Sequence, residues 1–322
     1  MGWWQVNADT LAESRFVVSP LAEAVAGLKL LERGTAAHPG ERVWLDAHLP
    51  AYRERKAEDP VTSLLLHAAL RPAWNATFLT PTPTGAGERT FEEELLRIRR
   101  TPPGTARTDL EEALDGPLPT RLDRPDLPEL AAGLLEWVWT RTVAPDWPRR
   151  RRIIEADVVA RTARLGQDGW AGALDGMRAG MRWLGQSRLQ ITAHDHPPQK
   201  TAGAQLMFVP VTPRQSWLCW ESGRYAVVYP CSGVLADTGR APAPEALRAL
   251  LGPARATVLV LLDRPKSTTQ LVALTGQGLG SVGRHLKVLL DARLVQRRRA
   301  GRSVLYYRTA AGEVLVEAQG DG

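Results

Sequence analysis

Ser281, Arg284, His285 and Lys287 lie within seven residues of one another, and their types suit one kind of chemistry. Arg and Lys meet the O6 and N7 acceptors of guanine, and a serine hydroxyl serves several bases. A helix that turns these side chains away from its core can therefore lie in a major groove. His285 has a second use, bonding inward to orient that helix. Arg298, Arg299 and Arg302 follow in a predicted hairpin and suit phosphate or minor-groove contact. Thr268, Thr269 and Gln270 open the preceding predicted helix, where backbone N–H groups and hydroxyls hold phosphates.

Other constellations carry less. Gly278-Leu279-Gly280-Ser281-Val282-Gly283 spells a dinucleotide-binding G-x-G-x-x-G, but that fingerprint needs a strand before it and an acid about twenty residues later. Here a helix precedes and a basic hairpin follows. His194-Asp195-His196 offers borderline metal ligands, yet it ends in Pro197-Pro198 with no partnered third or fourth ligand, so a solvated loop is the better reading. His38, His48 and His67 show no ligand spacing, and neither Ser-His-Asp nor paired carboxylates stand out. No cofactor is expected. Trp137, Trp170, Met177, Met181, Trp183, Trp217 and Trp220 suit an apolar pocket for a small-molecule effector, with ordinary core packing as the plainer alternative.

The elements that must position these residues follow from periodicity and punctuation. Pro20–Glu32, Phe91–Arg100, Pro128–Thr142 and Pro148–Leu165 repeat at helical spacing. In the last, Arg151 and Glu155 stand one turn apart, and Arg149 to Arg152 reads as a solvated or paired run rather than a DNA contact. Short apolar runs between 189 and 230 (LQIT, AQLMFVPV, SWLCW, YAVVY) predict a small antiparallel sheet. After the Gly239–Pro244 linker come helices at Pro244–Leu251, Pro253–Leu262, Thr268–Thr275 and Ser281–Asp291. A hairpin over Arg293–Arg299 and Ser303–Thr309 ends the series. Val282, Leu286, Leu289 and Leu290 give the last helix its inner edge. Helix, turn, helix, hairpin is the order of a winged helix-turn-helix.

Charge points to the same block. From Gly252 to Thr309 eleven basic residues face two acids, Asp263 and Asp291, an excess of nine, whereas residues 1–251 hold 30 of each sign. Such an island is the electrostatic footprint of a polyanion-binding module. With 322 residues, two domains are expected. With 44% hydrophobic and 24% charged residues, the composition excludes a wholly disordered, collagen-like or membrane-embedded chain. Two cysteines are too few for a disulfide framework, and no signal or spanning segment is evident, so a cytoplasmic protein without membrane contact is expected.

The stretch SVGRHLKVLLDARLVQRRRAGRSVLYYRT resembles the winged helix of ArsR-like bacterial regulators, in which a T-V-S-x-H-L core precedes a D-A-G-L-V turn. Ser281 to Leu286 and Asp291 to Val295 match these motifs. The whole chain, including RFVVSPLAEAVAGLKLL and PRRRRIIEADVVARTARLG, is similar to regulators of high-GC Gram-positive bacteria that carry a long N-terminal domain of obscure role. Gly278, Gly280 and Gly283 replace serine or threonine of the pattern, and the interior Gly283 costs its helix about 1 kcal/mol relative to alanine. Thr268–Thr275 lacks the Cys and His of the metal sensors, so metal sensing is not implied.

The expected fold is α+β and mainly helical. An N-terminal domain (1–240) would serve effector binding or dimerisation, a winged helix-turn-helix (244–316) would bind double-stranded DNA, and 317–322 would form a flexible tail. The resemblance implies a non-enzymatic repressor acting as a homodimer on an inverted-repeat operator, its dimer contact at Pro244–Leu251 and Val314–Val316 or in the N-terminal domain. The alternative is an enzyme or oligomerisation scaffold with an appended winged helix.

Overall fold

The computed structural model describes residues 2–37, 39–71, 74–85, 87, 89–174, 176–192, 199–201, 203–221, 223–231, 243–262, 265–275, 277–300 and 303–318. Two compact units result, one made of Met1–Pro148 with Asp175–Cys231, the other of Arg149–Leu174 with Ser232–Gly322. The fold is α+β and mainly helical, as expected. The His194–His196 segment and the end of the tail lie outside the described residues.

The chain opens with β1 (Gly2–Gln5), α1 (Ala8–Glu13), β2 (Arg15–Phe16), α2 (Pro20–Arg33), α3 (Pro39–Glu58), α4 (Pro60–Ala69), α5 (Phe91–Arg99), α6 (Pro103–Leu114), α7 (Leu127–Val138) and α8 (Trp147–Leu174). Local chemistry sets these bounds. Ser19 caps α2 by accepting from the Ala22 N–H, Pro20 fills the first turn where its missing donor costs nothing, and Gly34 ends the helix at φ 63°. Thr90 and Glu93 close a reciprocal capping box at α5. Helices α3, α4 and α6 were not expected from periodicity. Pro50 sits inside α3, and Pro103 opens α6 from a TPPG stretch that reads as a loop. On α8 Arg151 bonds Glu155 at 2.8 Å, as its spacing predicts, and the helix is broken at Gly169, whose φ is 66°.

The sheet expectation needs correction. The region beyond α8 carries β3 (Arg182–Gly185), β4 (Arg188–Thr192), β5 (Gln199–Lys200), β6 (Gln205–Val211), β7 (Trp217–Glu221) and β8 (Arg224–Pro230). These strands form two mixed sheets rather than one antiparallel sheet, in the orders β3-β4-β1-β5 and β2-β6-β8-β7. Strands β6 and β8 pair in parallel because β7 lies on the far side of β8 and the chain doubles back between them. Both central strands are buried along most of their length, which explains their continuous apolar runs. The N-terminal β1 and β2 complete the sheets from far along the sequence.

Carboxylates lock this unit from within. Glu23 accepts from the Thr212 N–H and hydroxyl, and Glu41 from the Ala37 and Arg214 N–H groups. Glu94, 5% exposed, accepts from Ser19 Oγ and the Leu21 N–H, both at 2.9 Å, at the start of α2. Burial pushes the Glu94 carboxyl up to about 7, against the pull of those two donors. The unfolded chain then sheds this proton near 4.5 and the folded chain near 7. Stability is therefore greatest while the group is protonated, falls as pH rises from 4.5 to 7, and is level above, a loss of about 3 kcal/mol. Glu94→Gln is expected to remove that part of the slope. Unfolding of wild type and variant at pH 5, 6, 7 and 8 checks this, and parallel curves refute it.

The other unit contains α9 (Glu245–Leu251), α10 (Pro253–Leu261), β9 (Lys266–Ser267), α11 (Thr268–Thr275), α12 (Leu279–Asp291), β10 (Val295–Ala300), β11 (Ser303–Arg308) and α13 (Ala310–Glu317). Leu247, Leu259, Leu271, Val282, Leu286, Leu289 and Val295 share its core. Helix α12 ends in a Schellman motif: the Leu294 N–H bonds the Leu289 carbonyl, the Arg293 N–H bonds that of Leu290, and Arg293 takes φ 56°. Arginine thus occupies the turn position where the resembling pattern has glycine. Gly312 is fixed by close approach, since a Cβ there would meet the Leu294 carbonyl oxygen at 2.1 Å.

Candidate nucleic-acid interface

Helix α11 is positioned by a capping box at its start. The Ser267 N–H donates to Gln270 Oε1 at 2.7 Å and the Gln270 N–H donates to Ser267 Oγ at 3.2 Å. The Ser-Thr-Thr-Gln sequence carries this signature, and it commits the Gln270 backbone N–H to Ser267 Oγ rather than to a phosphate. Thr268 is half-buried at the first turn. The side chain of Thr269 and all of Arg302 lie outside the described residues.

Helix α12 buries Val282, Leu286 and Leu289 and leaves Arg284 and Lys287 exposed. The four residues expected to read bases divide accordingly. Ser281 and His285 are half-buried and bonded along the helix, with Ser281 Oγ 3.2 Å from His285 Nε2 and 3.1 Å from its acceptor, Gln277 Oε1. With the serine proton on Gln277, the His285 ring donates to the serine oxygen, and the three side chains brace the first turns of α12. His285 is thus bonded along its own helix, one turn from Ser281, rather than inward.

Strand β10 is the sheet edge, in the order β10-β11-β9, and its register closes at Ala300↔Ser303. Arg297, Arg298 and Arg299 are all exposed along it, on alternating faces. Arg297 was not among the expected contacts, although it belongs to the same basic run. Among the described residues, Arg284, Lys287, Arg297, Arg298 and Arg299 form no hydrogen bond or ion pair, so their charge is available to a partner. Arg308 is different: it is spent inside the unit on carbonyls of α10.

The glycines at Gly278, Gly280 and Gly283 follow helix α11 and begin or lie within α12, so no strand leads into them and the dinucleotide reading fails on context. Of the seven aromatic and methionine positions, Trp217 borders a cavity beside Glu94 with room of about 10 Å³, enough for a single water. Trp137 packs against Tyr52 and Arg55, and Trp220 meets Trp74 edge to face at 5.0 Å. Met177 and Met181 are buried, Trp183 is half-buried on β3, and Trp170 belongs to the other unit. The cavity and contacts described for these residues are those of packing.

Three helices, a short turn between the second and third, and a two-stranded basic wing define a winged helix-turn-helix. Residues 253–297 match the model of the bacterial regulatory protein, arsR family, and the C-terminal unit carries an ArsR-like helix-turn-helix of a DNA-binding transcriptional regulator. That match is to a regulatory domain rather than to an enzyme. No curated protein and no solved structure matches the chain significantly. Among the described residues no helix is long and apolar enough to cross a membrane.

Proposed function

We propose that this chain is a homodimeric transcriptional repressor whose α12 enters the major groove of an inverted-repeat operator while the β10–β11 wing lies on the flanking backbone. The observation that carries the reading is the unpaired charge of Arg284, Lys287, Arg297, Arg298 and Arg299 on the two elements that such a module turns to DNA. Arg284 is the base reader and Lys287 a phosphate contact. The N-terminal unit, Met1–Pro148 with Asp175–Cys231, then serves regulation or assembly, and the segment 244–316 of the other unit binds DNA.

Selection of bound duplexes from a randomised pool with the full-length protein tests this. Arg284→Ala is expected to weaken binding by about 1 to 3 kcal/mol and to relax one base position, whereas Lys287→Ala weakens all sequences alike. Unaltered base preferences in Arg284→Ala would remove it as a reader. A selected site that fails to lower transcription of a reporter would refute repression.

A second copy is needed because one recognition helix offers too few reading side chains to select a genomic site. Leu250 on α9 and Val314 on α13 are 65% and 63% exposed, and both helices pack on α10. They supply apolar surface where the resembling family makes its dimer contact. Light scattering on the full-length protein is expected to give a dimer, with half-sites about one or two helical turns apart. A monomer bound to a single unrepeated site refutes the dimer.

A further inference from the structure

Leu279 does not belong to the core of its own helix. It stands three residues before Val282 and seven before Leu286, a spacing that reads as buried stripe, yet it is 63% exposed while those two are buried. The core stops one turn short of it. On either side are Gly278 and Gly280, where an added Cβ would meet nothing within 4 Å, so Leu279 projects alone into open space at the first turn of α12.

We infer that Leu279 reads a thymine by packing on its 5-methyl group. Resting on the proposed DNA-binding function, this assignment follows from where recognition helices make their base contacts, which is at their N-terminal residues. The 5-methyl of thymine is the apolar group that a base edge offers in the major groove, and a leucine has no hydrogen bond to give the donors and acceptors around it. The unpaired Arg284 and Lys287 stand about 140° and 80° around the same helix from Leu279, so a polyanion drawn to them lies beside the end of the helix from which Leu279 projects. Flanking glycines leave room for the base edge to reach the leucine.

The test uses the duplex selected from the randomised pool by full-length protein, with each thymine replaced in turn by deoxyuridine, a change that removes one methyl and keeps every hydrogen-bonding group. One thymine in each half-site is expected to lose about fourfold in affinity on this replacement, the worth of one buried methyl. Leu279→Ala is expected to bind the thymine duplex correspondingly less well and to be indifferent to that same replacement. A uracil effect equal in wild type and variant at every position overturns the assignment while leaving DNA binding intact. A pool from which no sequence is enriched overturns the DNA-binding reading itself, and this one with it. Thermal unfolding of the variant is expected to match wild type, since the side chain it loses is exposed.

Discussion

Replacing Arg297, Arg298 and Arg299 together by glutamine is expected to flatten the salt dependence of DNA binding and to weaken binding at physiological salt by several powers of ten. Each phosphate contact releases condensed counterions and contributes about 0.9 to the slope of log affinity against log salt. A dimer loses six such groups. Arg297 and Arg299 share one strand face, and with those four groups on phosphate the slope falls by about 3.6 and the affinity at 0.15 M salt by roughly three powers of ten. Glutamine keeps polarity without the charge, and the three side chains are exposed with no partner among the described residues, so the hairpin itself has little to lose. Titrations at four salt concentrations between 0.05 and 0.3 M decide the matter. An unchanged slope would mean that the wing points away from DNA, and the concentration of charge between Gly252 and Thr309 would need another explanation.

The sequence makes the C-terminal unit legible because its signals are local. The apolar spacing of α12, the Asp291–Val295 turn and the basic run each act within a few residues, and α9 to α12, β10 and β11 fall within two residues of the expected bounds, whereas β9 and α13 are not expected. What escapes notice there is chemistry hidden by residue type. Leu279 has core spacing but lies beyond the core, and the free charge of Arg284 looks no different in sequence from the committed charge of Arg308. The Ser267–Gln270 capping box was visible as a pattern, although threonines between them draw attention to phosphate instead.

In the N-terminal unit the decisive interactions are long-range. Strand β1 pairs with residues near 190 and β2 with residues near 207, partners that no window of sequence contains. The parallel pairing of β6 with β8 is set by the path of β7, although the unbroken apolar character of both strands was a local hint of double burial. Helix α3 is obscured by Pro50, which removes one helical donor, and α6 by a Pro-Pro-Gly that works as a helix start. The seven aromatic and methionine residues are grouped by type and by their place between the predicted helices and sheet, which sets no register.

Arg308→Met is expected to destabilise the winged helix by about 3 kcal/mol while leaving the salt slope of the remaining bound fraction unchanged. Its guanidinium, 6% exposed, donates from Nε to the Leu259 carbonyl at 2.8 Å and from one Nη to that of Val260 at 2.7 Å. Those carbonyls belong to the last turn of α10, where the Leu259 carbonyl also accepts from the Leu262 N–H at 3.2 Å and a positive charge suits the helix dipole. The other Nη meets Glu313 on α13 at 3.0 Å, so one side chain ties the end of β11 to two helices. Hydrogen bonds to a charged donor are worth about 1.5 to 3 kcal/mol each, whereas the half-exposed pair with Glu313 adds little. Methionine keeps the apolar stem and loses all three bonds. Arg308→Lys keeps the charge but lacks the planar fork that spans two carbonyls, so an intermediate loss is expected. Hydrogen exchange of peptides from α10 and α11 in the full-length protein reads this unit separately from the N-terminal one. Protection equal to wild type in Arg308→Met would show that the clamp is dispensable.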